Sequence, residues 1–364
     1  MKIILSGGGT GGSIMPLLAV AEEIKKQCAK DAPQMRNSEC EFLFIGTRKG
    51  IPEKKLVQEK NILYRSIYSG KLRRYFSFKN ITDIFFILFG FIQSIFIILR
   101  FKPQAIFSAG GFVAVPLSLA GWFLRIPIFI HQQDIVPGLA NKIIAPLSKK
   151  ITVSFGVSLK SFNPQKTILT GNPVRPDIFE GRKERAIKKF SLEKGLPTLL
   201  IIGGGTGAKD LNDLIFQIVP QLTDFCQIIH LTGPNKSIIN EKLNHRRYHQ
   251  IEFLTKEIID VYQAADLVVC RAGLGTLTEL SVLKKPLILI PIPDSHQEAN
   301  AEYFKEKADI VVLSQKKIIA KILLKQIKNL IMSPDDLKRT GESIYQLIQL
   351  RAGEKISKII LKEI

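Results

Sequence analysis

The sequence predicts an α/β protein of two similar, doubly wound halves, each built on a parallel sheet. Three observations carry this. Lys2-Ile3-Ile4-Leu5-Ser6 runs into the glycine loop Gly7-Gly8-Gly9-Thr10-Gly11-Gly12. Much later Thr198-Leu199-Leu200-Ile201-Ile202 runs into Gly203-Gly204-Gly205-Thr206-Gly207-Ala208, an internal echo of the first. A continuous apolar run, a tight glycine turn and a helical pattern are how a strand buried on both faces opens such a domain. Third, other short apolar runs recur with helical patterns between several of them, the rhythm of βαβ units. The 364 residues suit about two domains and substantial cores.

The elements follow in order. After the first loop, Ile14, Leu17, Leu18, Ala21 and Ile24 carry helical spacing. Pro16 is tolerated there because first-turn N–H groups have no acceptor within the helix. Glu41–Gly46, Ala105–Ser108, Pro127–Ile130 and Ile151–Val153 read as further strands of the first half; Gln227–Leu231, Leu267–Cys270 and Leu287–Ile290 read as strands of the second. Gly171-Asn172-Pro173-Val174-Arg175-Pro176 reads as the linker. The expected domains are 1–172 and 173–340, with a charged helical tail, 341–364, able to pack back on the N-terminal domain.

One segment breaks the soluble pattern. Ile84 to Leu99 reads IFFILFGFIQSIFIIL, preceded by Lys71, Arg73, Arg74 and Lys79 and followed by Arg100 and Lys102. It falls short of the roughly 20 residues of a spanning helix, and basic residues at both ends set no orientation. The leading expectation is a helix lying in a membrane interface. Phe85, Phe86 and Phe89 would sit in lipid, and Lys71, Arg73 and Arg74 on anionic headgroups. A buried core helix and a true span are the alternatives.

Charge narrows the partners. Lys and Arg total 52 against 32 Asp and Glu, a net charge of +20, while the hydrophobic fraction of 46% excludes disorder as the main state. Such a balance calls for nucleic acid, an acidic membrane surface or a phosphorylated substrate, or else merely keeps the protein soluble. No recognised module or aromatic-basic platform appears, so nucleic acid is not expected. Cys28, Cys40, Cys226 and Cys270 are scattered and form no C-x-x-C pair, which excludes a disulfide scaffold and fits a reducing cytoplasm. Only three apolar residues follow Met1-Lys2 before the glycines, so no signal peptide is expected.

Glycine loops between strand and helix let backbone approach a phosphate and aim helix N–H groups at it. A nicotinamide dinucleotide would also want an acid at the tip of the second strand. Here that strand runs Phe44-Ile45-Gly46-Thr47-Arg48, so this role is disfavoured. A third loop says more: Val268-Val269-Cys270-Arg271-Ala272-Gly273-Leu274-Gly275-Thr276-Leu277-Thr278-Glu279 is strand, turn and helix start. Thr276, Thr278 and nearby N–H groups are placed to hold a diphosphate. Glu279 is placed to accept from vicinal hydroxyls such as a ribose, unless it only complements the helix dipole. Asp294 to Asn300 follows another strand end, so these loops can converge on one nucleotide.

The chain resembles the MurG family of N-acetylglucosaminyltransferases. The likeness rests, in the family's order, on Gly7 to Gly12, Gly110-Gly111-Phe112, His131-Gln132-Gln133-Asp134, Gly171-Asn172-Pro173-Val174-Arg175, Gly203 to Ala208, and Arg271 to Glu279 with His296-Gln297 and Asn300. It implies the GT-B architecture: two Rossmann-like, doubly wound parallel-sheet domains facing a cleft. It further implies UDP-GlcNAc as donor, membrane-bound lipid I as acceptor, and a peripheral enzyme on the cytoplasmic face of the inner membrane. Its work would be peptidoglycan synthesis, serving the cell wall, cell shape and division, with inverting transfer and no cofactor or metal. No H-E-x-x-H, Cys/His cluster or D-x-D motif appears in the sequence.

Carried over by motif, Thr10, Gly11 and Gly12 lie near the donor sugar and diphosphate, and Arg175 and Gly205 approach the nucleotide. Leu254 touches uracil through its backbone. Leu274, Gly275, Thr276, Leu277, Thr278 and Glu279 hold diphosphate and ribose, and Gln297 reaches the donor sugar. Four positions depart from the family. Ser13 stands where the family offers a histidine as general base, Gln132 replaces a glutamate while Asp134 gains a carboxylate, and Phe112 replaces a tyrosine. Serine has no suitable pKa for that task. Asp134 is the expected substitute, with His131 as second candidate. A GT-B-like UDP-GlcNAc epimerase, a lipid glycosyltransferase with another acceptor, and a non-catalytic UDP-sugar- or lipid-binding paralogue are the other readings.

Overall fold

The continuous apolar runs become the central strands of two parallel sheets. The computed structural model describes residues 1–8, 11–31, 40–48, 50–70, 79–205 and 207–364. They fall into two units, Met1–Arg175 with Gln349–Ile364, and Pro176–Ile348. In the first unit β1 (Lys2–Ser6), α1 (Ile14–Asp31), β2 (Glu41–Gly46), α2 (Ile51–Glu59), β3 (Leu63–Ser66), α3 (Lys79–Phe101), β4 (Ala105–Ser108), α4 (Ala114–Phe123), β5 (Ile128–Gln132), α5 (Leu139–Ile144), β6 (Lys150–Val153) and β7 (Thr167–Leu169) follow one another. The sheet order is β3-β2-β1-β4-β5-β6-β7, all parallel.

The second unit repeats the plan. It contains α6 (Lys183–Phe190), β8 (Thr198–Ile202), α7 (Lys209–Leu222), β9 (Gln227–Leu231), β10 (Tyr248–Ile251), α8 (Ile258–Ala264), β11 (Leu267–Cys270), α9 (Leu274–Val282), β12 (Leu287–Leu289), α10 (His296–Lys307), β13 (Val311–Val312), α11 (Ala320–Ile331) and α12 (Pro334–Tyr345). Its sheet order is β10-β9-β8-β11-β12-β13. Read from its own first strand this is 3-2-1-4-5-6, the dinucleotide-fold order. The first sheet has the same order with one strand added.

The spacing read in α1 is the packed face: Ile14, Leu17, Leu18, Ala21 and Ile24 are all buried against β1 and β2. The last helix, α13 (Ala352–Glu363), leaves the second unit and lies on α1. Ile356 and Ile360 join that core, and Gln27 donates to Ser357 Oγ (2.7 Å). Helix α12 stays on the second unit, against α9, α10 and α11.

The cysteines need a correction. Cys28 and Cys40 are joined by a disulfide, which their spacing did not announce. Right-handed βαβ winding brings the end of α1 back beside the start of β2, so the two meet. Cys226 and Cys270 remain free and buried.

Helix α3 is longer than the sequence suggested: at 23 residues it is long and apolar enough to cross a membrane, by length and composition, so the span alternative stays open. Its 19-residue apolar stretch Asp83–Phe101, mean hydropathy 2.3, is only 17% buried, so the core-helix alternative is withdrawn. Gly90, Ser94 and Ile98 face the protein; Ile84, Phe85, Phe86, Leu88, Phe89, Ile92, Phe96 and Leu99 face outward. Trp122 and Phe123 at the end of α4 extend this apolar surface, and Phe91 meets Phe123 edge-on at 6.2 Å. Gly90 is needed because the Tyr68 carbonyl sits where a Cβ would be. Tyr68 stacks on Phe86 (5.8 Å), and the Arg48 guanidinium lies 4.3 Å above the Tyr68 ring.

Candidate active site

Strand order decides where the loops go. In each sheet the order reverses beside the first strand, between β1 and β4 and between β8 and β11. Ligands of open α/β sheets bind beyond the strand C-termini at such a point. In the first unit the loop after β1 meets the loop after β4: a Cβ on Gly111 would lie 2.7 Å from the Gly8 carbonyl oxygen. Gly111 has φ +88°, which glycine adopts at no steric cost. Gly11, Gly12 and Ser13 form the short 3-10 turn that opens α1, and Ser13 packs beside Gly7.

Asp134 lies two residues beyond β5, on the same sheet edge. Its loop is held from within. Gln132 Nε2 donates to the Asp134 carbonyl (2.7 Å), and Asn141 Nδ2 donates to Gln132 Oε1 (2.7 Å) and the His131 carbonyl (3.2 Å). An amide at 132 both gives and accepts here, which a carboxylate could not do. Asp134 itself is part-exposed.

His131 is withdrawn as a base. It is wholly buried, with Nδ1 3.0 Å from Thr152 Oγ1 and Nε2 3.1 Å from Asn172 Oδ1. Burial lowers its pKa to about 4. A sealed neutral ring with both nitrogens engaged cannot reach a substrate proton. It instead ties β5 to β6 and to Asn172 in the 171–175 strap, whose last residue, Arg175, ends this unit.

His230 plays the same structural part in the second unit, between Tyr248 Oη (2.9 Å) and Asn212 Oδ1 (3.0 Å), with its pKa lowered to about 3 by burial. Folded pKa values below the usual 6.5 mean that the unfolded chain takes up protons which the folded chain refuses. This stability is intact above pH 6.5 and is lost as pH falls toward 4. Between pH 7 and 5 each unit should lose about 2 kcal/mol, roughly 4–8 °C in unfolding midpoint. Calorimetric scans check this; a midpoint unchanged over that interval would mean the rings are charged in the fold.

In the second unit the loops after β8 and β11 flank the switch point. Gly204 (φ +93°) and Gly205 have open space where a Cβ would be. Helix α9 starts at Gly273 with no side-chain cap, so its first-turn N–H groups keep the positive end of the dipole. Thr276 lies in that turn and is partly exposed. Thr278 is corrected: it is fully buried and its hydroxyl donates to the Leu274 carbonyl (2.6 Å), so that hydroxyl does not face a diphosphate. Leu274 and Leu277 are also buried, leaving only backbone to offer. Glu279, on the second turn, is 4% exposed.

The β12–α10 connection closes on the same place. Arg271 Nη1 donates to the Ile290 carbonyl (2.9 Å) and Asn300 Nδ2 to the Ala272 carbonyl (3.1 Å). Sequence reasoning missed this tethering by Arg271; its one signal was a cation at the end of an apolar strand. Ser295 caps α10 by accepting from the Gln297 N–H (3.2 Å). The Gln297 amide nitrogen would lie 3.7 Å from a Cβ on Gly273. Gln297 thus borders the α9 N-terminus. Leu254 follows β10 on the same edge, half-buried. Thr10, Lys71, Arg73, Arg74 and Thr206 lie outside the described residues.

Twin dinucleotide-fold sheets with glycine-rimmed switch points define a protein of GT-B-like fold. The chain belongs to glycosyltransferase family 28: the family's N-terminal domain model matches residues 3–153 and its C-terminal domain model residues 198–353. A Clostridium perfringens (strain SM101) relative is 39% identical over 99% of this chain and 96% of its own. It is named UDP-N-acetylglucosamine--N-acetylmuramyl-(pentapeptide) pyrophosphoryl-undecaprenol N-acetylglucosamine transferase. The crystal structure of Acinetobacter baumannii MurG superposes with TM-score 0.72 at 23% identity, covering 99% of both chains. A Neisseria meningitidis UDP-GlcNAc 2-epimerase bound to UDP-GlcNAc gives 0.69 at 15%, covering 100% of both, and so shares the fold.

Proposed function

We propose that this chain transfers GlcNAc from UDP-GlcNAc to the 4-hydroxyl of MurNAc in undecaprenyl-pyrophosphoryl-MurNAc-pentapeptide (lipid I), giving lipid II with inversion. The observation that carries it is 39% identity over nearly the whole chain with a transferase of that name. The glycine loops and the bare α9 N-terminus support it.

In this reading α9, Thr276 and Gly205 hold the diphosphate, Glu279 accepts from the ribose hydroxyls, the Leu254 backbone meets uracil and Gln297 meets the sugar. Arg175 approaches the nucleotide, and Thr10, Gly11 and Gly12 lie near the donor sugar and diphosphate. The acceptor oxygen bonds to the anomeric carbon as the bond to UDP breaks, and Asp134 takes the hydroxyl proton. Orienting two substrates is worth roughly 7–11 kcal/mol of barrier. Helix N–H groups stabilise charge growing on UDP. The apolar face of α3 docks the enzyme as a peripheral protein on the cytoplasmic face of the membrane.

UDP release that requires lipid I tests the transfer; epimer formed without it, or binding with no product, would replace this reading. Asp134→Asn should lower kcat by roughly 10²–10⁴-fold, the usual worth of a general base, while donor affinity stays unchanged. Near-normal turnover would remove Asp134 from the chemistry.

A further inference from the structure

An open surface depression of about 330 Å³ lies beside α3, lined by Arg65, Ser66, Gln93, Phe96 and Ile97. Nothing in the transfer reaction uses it. Arg65 and Ser66 end the edge strand β3, two strands from the β1–β4 switch point. Side chains alternate along a strand. Tyr64 stacks on Phe44 at 5.9 Å, on the α1 face of the sheet, so Arg65 points to the α3 face.

The two walls differ in kind. One is Phe96 and Ile97, continuous with the exposed apolar stripe of α3. The other offers a guanidinium and an amide. Gln93 Oε1 already accepts from the Tyr68 N–H (2.9 Å), which leaves its amide nitrogen to donate. Arg65 is exposed and makes no ion pair among the described residues. A cation and a further donor with no carboxylate among them call for an anion. The apolar wall calls for an anion that carries hydrocarbon. A guanidinium fork suits phosphate in a two-point contact.

We propose that this depression binds the phosphate of an anionic phospholipid whose chains lie along α3. This rests on the membrane-docking reading and adds a specific lipid site to it. The test is sedimentation of the full chain with phosphatidylglycerol or phosphatidylcholine vesicles at about 0.15 M salt. Arg65→Gln should weaken phosphatidylglycerol binding by roughly tenfold or more and leave phosphatidylcholine binding alone. Arg65→Lys should fall nearly as far, because an ammonium keeps the charge and loses the fork. Arg100→Gln, on the same helix, should cost only roughly fivefold, the share of one basic residue near an anionic surface.

Arg65→Lys matching the wild type, or Arg65→Gln matching Arg100→Gln, would reduce Arg65 to part of a diffuse field and overturn the site. Loss of lipid I affinity in detergent, with vesicle binding intact, would give the depression to the acceptor's phosphates instead. Displacement from vesicles by millimolar inorganic phosphate at constant ionic strength would mean a free-phosphate site. Wild-type protein that binds neither vesicle would sink the docking reading beneath the proposal, a result distinct from all of these.

Discussion

Glu279→Ala should weaken UDP-GlcNAc binding roughly a hundredfold or more by titration calorimetry. A carboxylate accepting from two sugar hydroxyls makes charge-assisted bonds worth about 1.5–3 kcal/mol each, and every 1.4 kcal/mol is tenfold. The residue is nearly sealed on the second turn of α9, so alanine also leaves a void. Glu279→Gln separates the two effects: it keeps the shape and one acceptor, and should lose roughly tenfold in affinity with little change in unfolding midpoint. Unchanged affinity with a lowered midpoint would assign Glu279 to the helix alone.

The Phe85→Asp, Phe89→Asp double variant should abolish vesicle binding while leaving turnover of lipid I in detergent near normal. Both rings are more than half exposed on α3. Burying a phenylalanine in an apolar phase is worth about 1.5–3 kcal/mol, so losing two costs roughly two to four orders of magnitude before the new charges are counted. Neither ring belongs to the first unit's core clusters, and Phe89 meets the Tyr68 ring at 6.4 Å on the surface, so the fold should hold. Vesicle binding that survives would mean that α3 meets something other than lipid. Binding that is equal on neutral and anionic vesicles would remove the electrostatic part of docking and leave the apolar part.

Legibility varied with burial. Strands enclosed on both faces, such as Thr198–Ile202, are continuous apolar runs and were readable. The short edge strands β3, β7, β10 and β13 were not. Leu63-Tyr64-Arg65-Ser66 and Tyr248-His249-Gln250-Ile251 mix polar and apolar residues because one side of each meets solvent. Site residues divided likewise. The helix start at Leu274 was visible from Gly273 and the run before it. The inward turn of Thr278 was not, since a threonine reads alike whether its hydroxyl faces a ligand or the preceding turn. His131 looked like chemistry until Thr152 and Asn172, distant in sequence, closed on both its nitrogens.

By itself the chain's sequence determined the βαβ rhythm, the glycine turns at strand ends and an apolar segment fringed by basic residues. These are local properties, written in spacing and in the backbone freedom of glycine. Only the tertiary structure decided that β1 lies beside β4 and β8 beside β11, which gathers each pair of loops at one crevice. It alone sent α13 back to α1, sealed His131 and turned α3 outward. Strand order and burial are set by pairing between residues far apart in the chain, and no window of neighbours contains that information.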